Sequence, residues 1–92
     1  RVLIDNDAST KNTVIEVNGR DRPGLLYELT SALAGLRLSI ITARVATYGD
    51  RAVDVFYVRD RFGLKVTHPA SLRRLTERLG AVFADGATRA AA

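Results

Sequence analysis

The apolar positions of this chain alternate between a period of two and a period of about three and a half, and each change of period marks an element. In TVIEV, Thr13, Ile15 and Val17 fall on one side and Val14 and Glu16 on the other, which predicts a strand. Leu25, Leu26, Leu29, Ala32, Leu33 and Leu36 then recur at spacings of three and four, the stripe of a helix that Gly35 ends. Leu38 to Tyr48 is β-branched and apolar, and Gly49-Asp50 separates it from AVDVFYV at Ala52–Val58, as the two-residue loop of an antiparallel hairpin does. Both rows of that strand are largely apolar, Val53, Val55 and Tyr57 against Phe56 and Val58, so both sheet faces are expected to be covered, as a partner chain or sister domain would do. Leu72, Leu75, Leu79, Val82 and Phe83 form the stripe of a second helix, capped by Thr67 or His68, opened by Pro69 and carrying an exposed Arg73–Glu77 pair.

The remaining stretches are shorter. Arg1 to Ile4 reads as a brief edge strand, Asp5 to Asn12 as a loop of turn formers, Asp60 to Gly63 as a turn, and 86–92 as a flexible tail. No strand follows the second helix. A short N-terminal strand antiparallel to Thr13–Val17 would occupy the edge where a closing strand is missing. The expected fold is α+β, a ferredoxin-like two-layer sandwich with a βαββα core. It forms a single domain over 1–92, with the core at 13–84 and the edge strand and loop at 1–12.

Composition narrows the function. With 92 residues, no cysteine and one histidine, the chain has room for one core but lacks thiol nucleophiles, thiolate metal sites and disulfides. Asp5, Asp7, Asp50, Asp54, Asp60 and Asp85 are scattered without calcium-loop spacing, so neither a metal nor a cofactor is expected in this chain, and it is not read as an enzyme. The net charge of +4 comes from arginines that adjoin acids, as in Asp21/Arg22, Asp50/Arg51 and Asp60/Arg61, which describes a mixed solvated surface better than a phosphate-binding stripe. RNA-recognition modules share this topology, but they carry paired aromatics on the central strands and TVIEV has none. The chain begins with Arg1, and no apolar run approaches the roughly 20 residues a membrane span needs, so it reads as a soluble fragment of a cytoplasmic protein.

The densest chemical signal is NGRDRPGLL at Asn18–Leu26, where a strand gives way to a helix. Asp21 can cap, Pro23 fits a first turn, and free helix N–H groups attract a carboxylate. The same residues could simply cap and turn. If Gly24 has a negative φ, replacing it with alanine should be neutral or mildly stabilising for folding while obstructing a ligand. Other candidates are weaker. His68 reads as a capping or surface residue rather than a base, and Tyr27, Tyr48 and Tyr57 as interface residues rather than a stacking platform. Asp54 is read either as pairing with Arg44 on the neighbouring strand or as a solvated edge carboxylate.

TVIEVNGRDRPGLLYELTSAL, SIITARVATYG, RAVDVFYVRDRFG and THPASLRRLTERL together resemble an ACT domain over roughly Thr13–Leu79. IDNDAS, DRPGLLYELT, ATYG and VDVFYV with D-x-x-G are similar, more narrowly, to the C-terminal ACT domain of the bifunctional uridylyltransferase/uridylyl-removing enzymes that modify PII signalling proteins. This resemblance implies a regulatory, glutamine-sensing domain whose catalytic partners, with their Mg²⁺, lie outside the chain. It further implies self-association or packing on a sister ACT domain, with the effector held between the first strand–helix loop of one copy and the second strand of its neighbour. Carried onto this chain, the loop positions are Asn18, Asp21, Arg22, Pro23, Gly24, Leu25 and Leu26, and the strand positions are Ile40, Ile41, Thr42 and Ala43. The alternative is a module that associates without holding any ligand.

Overall fold

A computed structural model describes residues 1–91, with side chains through Ala84; the expected flexible tail, 86–92, lies outside the residues whose side chains are described. The elements run β1 (Val2–Asp5), β2 (Thr13–Arg20), α1 (Leu25–Gly35), β3 (Ser39–Tyr48), β4 (Arg51–Arg59) and α2 (Pro69–Ala91). The four strands form one sheet in the order β1-β2-β4-β3, every pair antiparallel. β1 therefore occupies the edge beside β2, with Val2 opposite Val17 and Ile4 opposite Ile15, as the lone N-terminal run predicts.

Parity along β2 and β4 decides what the helices cover. Ile15 faces Phe56, Thr13 faces Val58 and Gly19 faces Ala52. These residues form one row, and except for Gly19 they are buried with Leu25, Leu29, Ala32 and Leu33 of α1 and Leu75, Leu79 and Val82 of α2. Burying such aliphatic and aromatic side chains contributes about 1.5–3 kcal/mol each, upper values for a chain compared with its extended state. Gly19 is required by this packing: a Cβ there would lie 2.6 Å from the Phe83 ring of α2. Leu26, placed in the helical stripe by spacing alone, is instead 43% exposed, because the stripe that meets the sheet runs through Leu25, Leu29, Ala32 and Leu33.

The polar stretch before β2 latches the sheet to the segment leading into α2. Buried Thr13 donates its hydroxyl to Asn6 Oδ1 at 2.6 Å and accepts the Val66 amide at 2.8 Å, while Asn6 Nδ2 reaches the Val66 carbonyl at 2.7 Å. α1 ends in a Schellman arrangement, with the Leu38 amide on the Leu33 carbonyl and the Arg37 amide on that of Ala34. The left-handed residue is Arg37, at φ 62, and not Gly35 as the sequence suggests. Gly49 alone takes positive φ in the β3–β4 loop, the type II′ pattern. α2 is capped by His68, whose Nδ1 accepts the Ala70 amide at 3.1 Å. The expected Arg73–Glu77 pair does not close to bridging distance among the described residues.

Among the described residues the helices cover one face of the sheet. On the far side Val53, Val55 and Tyr57 are half-buried and Leu3 is exposed, the face for which the sequence expects a partner chain or sister domain. β3 is an edge strand exposed along nearly its whole length, including Ile40, Ile41 and Val45.

Candidate functional site

β2 extends three residues further than its apolar alternation indicates, through Asn18, Gly19 and Arg20, because these pair with Val53, Ala52 and Arg51 of the hairpin arm. The chain then leaves the sheet at Asp21, whose amide donates to the Asp50 carbonyl at 2.8 Å and holds the loop against the hairpin tip. Arg22 to Leu25 makes a type II turn: the Leu25 amide reaches the Arg22 carbonyl at 3.2 Å, Pro23 holds the second position, and Gly24 takes φ 81, ψ −1 in the third. A positive φ reverses the sequence expectation for Gly24. Alanine there is strained by the backbone even though a Cβ would meet nothing within 4 Å.

This turn delivers α1 with Gly24 at its N-cap and no side chain bonded to its first amides. Asp21 does not cap. The Leu26 and Tyr27 amides lack a side-chain acceptor, and these two residues are themselves 43% and 75% exposed. The start of α1 is thus an open, positively polarised end beside unfilled space. Arg22, one of the expected ligand contacts, is already engaged. Its guanidinium pairs with the Glu28 carboxylate and donates to the Val82 carbonyl at 3.0 Å, tying the turn to α1 and α2. Among the described residues this ion pair spans six positions, from Arg22 to Glu28.

The expected site residues separate into three places. Asp21, Arg22, Pro23, Gly24, Leu25 and Leu26 gather at the α1 start, with Leu25 buried beneath it. Asn18 stands on the sheet face away from the helices, opposite Val53, and its side chain accepts from Arg51 at 3.0 Å. Ile40, Ile41, Thr42 and Ala43 lie at the opposite end of β3 from the hairpin tip, with Ile41 in a bulge between Ile40 and Thr42. Five to eight residues of strand separate them from Tyr48 at the hairpin end, where the loop before α1 lies, roughly 17–26 Å. One chain does not bring the two halves together.

Asp54 was misplaced by both readings of the sequence. Arg44 faces Val55 on the outer face, whereas Asp54 sits between Val17 and Val45 on the helix side, 2% exposed, with Oδ1 lacking any hydrogen-bond partner. Burial pushes its carboxyl above the ordinary carboxylate value, a hydrogen bond with the Ala46 backbone pulls the other way, and the charge of Asp21 adds to the upward push. The signal was in the alternation: Asp54 shares parity with Ala52, Phe56 and Val58. Tyr48 and Tyr57 share the outer face but pair with Arg51 and Thr42, several residues apart, and Tyr27 is on α1, so no stacking platform assembles. A cavity of about 200 Å³ opens at the other end of the domain, between Leu36 and Leu38 after α1 and Lys65, His68, Ser71 and Arg74 around the start of α2. Among the described residues no three His, Asp or Glu side chains converge on a metal position, and no helix is long and apolar enough to cross a membrane.

An antiparallel sheet under two helices, with an open loop before the first helix and an exposed edge strand, defines a small ferredoxin-like α+β domain. Residues 8–85 match the family model described as the ACR family N-terminal ACT domain, and the chain belongs to the ACT domain family. It is 65% identical over 85 residues to the bifunctional uridylyltransferase/uridylyl-removing enzyme of Azospirillum brasilense, covering 92% of this chain and 9% of that one. Against the enzyme of the same description from Rhodospirillum rubrum it is 52% identical over 89 residues, 97% of this chain and 10% of that one. The chain therefore spans about a tenth of the length of these curated relatives. A crystal structure of an unknown protein from Galdieria sulphuraria shares the fold at a TM-score of 0.62 and 20% identity, over 80% of this chain and 39% of that one.

Proposed function

We propose that this chain is the amino-acid-sensing regulatory domain of a bifunctional uridylyltransferase/uridylyl-removing enzyme, that its effector is glutamine, and that it performs no catalysis itself. The observation that carries this reading is the α1 start: a type II turn opens space over Gly24 and leaves the Leu26 and Tyr27 amides without a side-chain acceptor, which suits an amino-acid carboxylate. The other half of the site is Ile40–Ala43 of β3. Because those residues lie at the far end of the strand, the pocket is completed by a second copy or a sister ACT domain whose β3 lies against this loop. Uridylyl transfer to and removal from a PII protein belong to the rest of the parent chain, which this reading places in the cytoplasm.

Calorimetric titration with glutamine and the other amino acids, beside light scattering of the same sample, tests the reading. Glutamine binding at one site per chain interface is expected, with a mass above the monomer's. A second reading is favoured by the exposure of Ile40, Ile41, Val45 and Tyr48 along β3: a pure association module. A dimer that binds no amino acid would select it.

A further inference from the structure

We propose that the cavity at the start of α2 is a second binding site, separate from the α1 loop, for a small organic monoanion: a carboxylate with a short aliphatic body. Its inner wall is apolar, made by Leu38, Val66 and Leu75, the last two only 6% and 1% exposed. Two cationic residues, Lys65 and Arg74, are among those that line it. Lys65 is oriented by donating to the Asn6 carbonyl at 2.6 Å, which leaves its other two N–H groups available. Arg74 is exposed and makes no hydrogen bond or ion pair among the described residues. Asp60, the one acid lining the cavity, already accepts the Phe62 and Leu64 amides at 2.8 and 2.9 Å, and two cations against one carboxylate leave a single positive charge.

Two further features favour an anion. The first turn of α2 contains no acidic residue, although that end of a helix prefers negative charge, and the arginines Arg73 and Arg74 follow immediately. Ser71 also lines the cavity, and its hydroxyl makes no hydrogen bond among the described residues, so a donor is available there. An apolar wall with a net positive lining selects against inorganic phosphate, which has no apolar part to bury, and against amines, which that charge repels. A cavity of about 200 Å³ has room for a small molecule, and pentanoate, a carboxylate on a short aliphatic chain, serves as the probe.

The experiment is an amide-resolved NMR titration of the chain with pentanoate, inorganic phosphate and pentylammonium. Pentanoate should saturably shift the amides of Leu36–Leu38 and Lys65–Leu75 while leaving Leu26 and Tyr27 in place. Arg74→Gln should weaken that binding at least tenfold, and Leu38→Asp should abolish it, with both variants melting as cooperatively as the parent. Shifts with phosphate equal to those with pentanoate would overturn the amphipathic reading, and shifts with pentylammonium would overturn the anionic one. Pentanoate binding unchanged in Arg74→Gln, or no saturable shift at all, would remove the site. None of these outcomes depends on whether glutamine binds at the α1 loop.

Discussion

Replacing Gly24 by alanine isolates a backbone term at the proposed effector loop. Gly24 holds φ 81, ψ −1, the third position of the turn that starts α1, and an added Cβ would find open space. Steric repulsion from neighbours is therefore negligible, and the cost is the intrinsic penalty of a left-handed L-residue, about 1–2 kcal/mol. The smaller entropy of the alanine-containing unfolded chain returns about 0.4–1 kcal/mol, leaving a net destabilisation of about 1 kcal/mol. For a domain of this size that lowers the melting temperature by about 4–8 °C. Gly24→Asn should lose less, since asparagine tolerates the left-handed region, whereas Gly24→Val should lose more than alanine because a β-branched side chain fits it poorly. Thermal melts with urea titrations at constant m-value measure the series. The turn assignment fails if Gly24→Ala melts at or above the parent, or if asparagine is worse than alanine.

Three other substitutions probe features the structure makes specific. Arg37→Gly should stabilise the chain by about 0.5–1 kcal/mol, seen as a higher melting temperature, because Arg37 is the left-handed residue of the α1 terminus at φ 62. Gly19→Ala should destabilise by about 1–3 kcal/mol in urea unfolding, since its Cβ would lie 2.6 Å from the Phe83 ring, and Phe83→Leu in the same chain should recover part of the loss. Asp54→Asn should stabilise the chain at neutral pH. The folded state raises the Asp54 pKa, so the stability linked to its proton is complete below the ordinary carboxylate value and is lost as pH rises through the raised one. Urea midpoints taken from pH 4 to 8 should fall less steeply in the asparagine variant than in the parent.

Strands and helices were legible wherever one face is buried against the core, because burial imposes a period. Ile15, Val17, Phe56 and Val58 were placed correctly by alternation, and Leu29, Leu33, Leu75 and Leu79 by helical spacing. What escaped was set by partners distant in sequence. Asn18–Arg20 carries no alternation yet is strand, since the hairpin arm supplies its hydrogen bonds. Leu26 matches the helical spacing, but the orientation of α1 on the sheet turns it outward. Pro23-Gly24 was recognised as turn chemistry, although its type, and hence the sign of φ, depends on where the Leu25 amide finds its acceptor. Arg22, expected as a ligand contact, is held instead by Glu28 and by the carbonyl of Val82, sixty residues away, which no local pattern announces. The separation of the loop from Ile40–Ala43 follows from the direction of β3, which the pattern of residues encodes only through the hairpin.

Glutamine bound at the start of α1 would be registered by the shifts of individual backbone amides when glutamine is added to the chain. Saturable shifts are expected at Leu26 and Tyr27, whose amides have no side-chain acceptor, together with shifts at Ile40–Ala43 contributed by a second copy. Saturable glutamine shifts confined to other parts of the domain, with Leu26 and Tyr27 unmoved, would contradict binding at the start of α1.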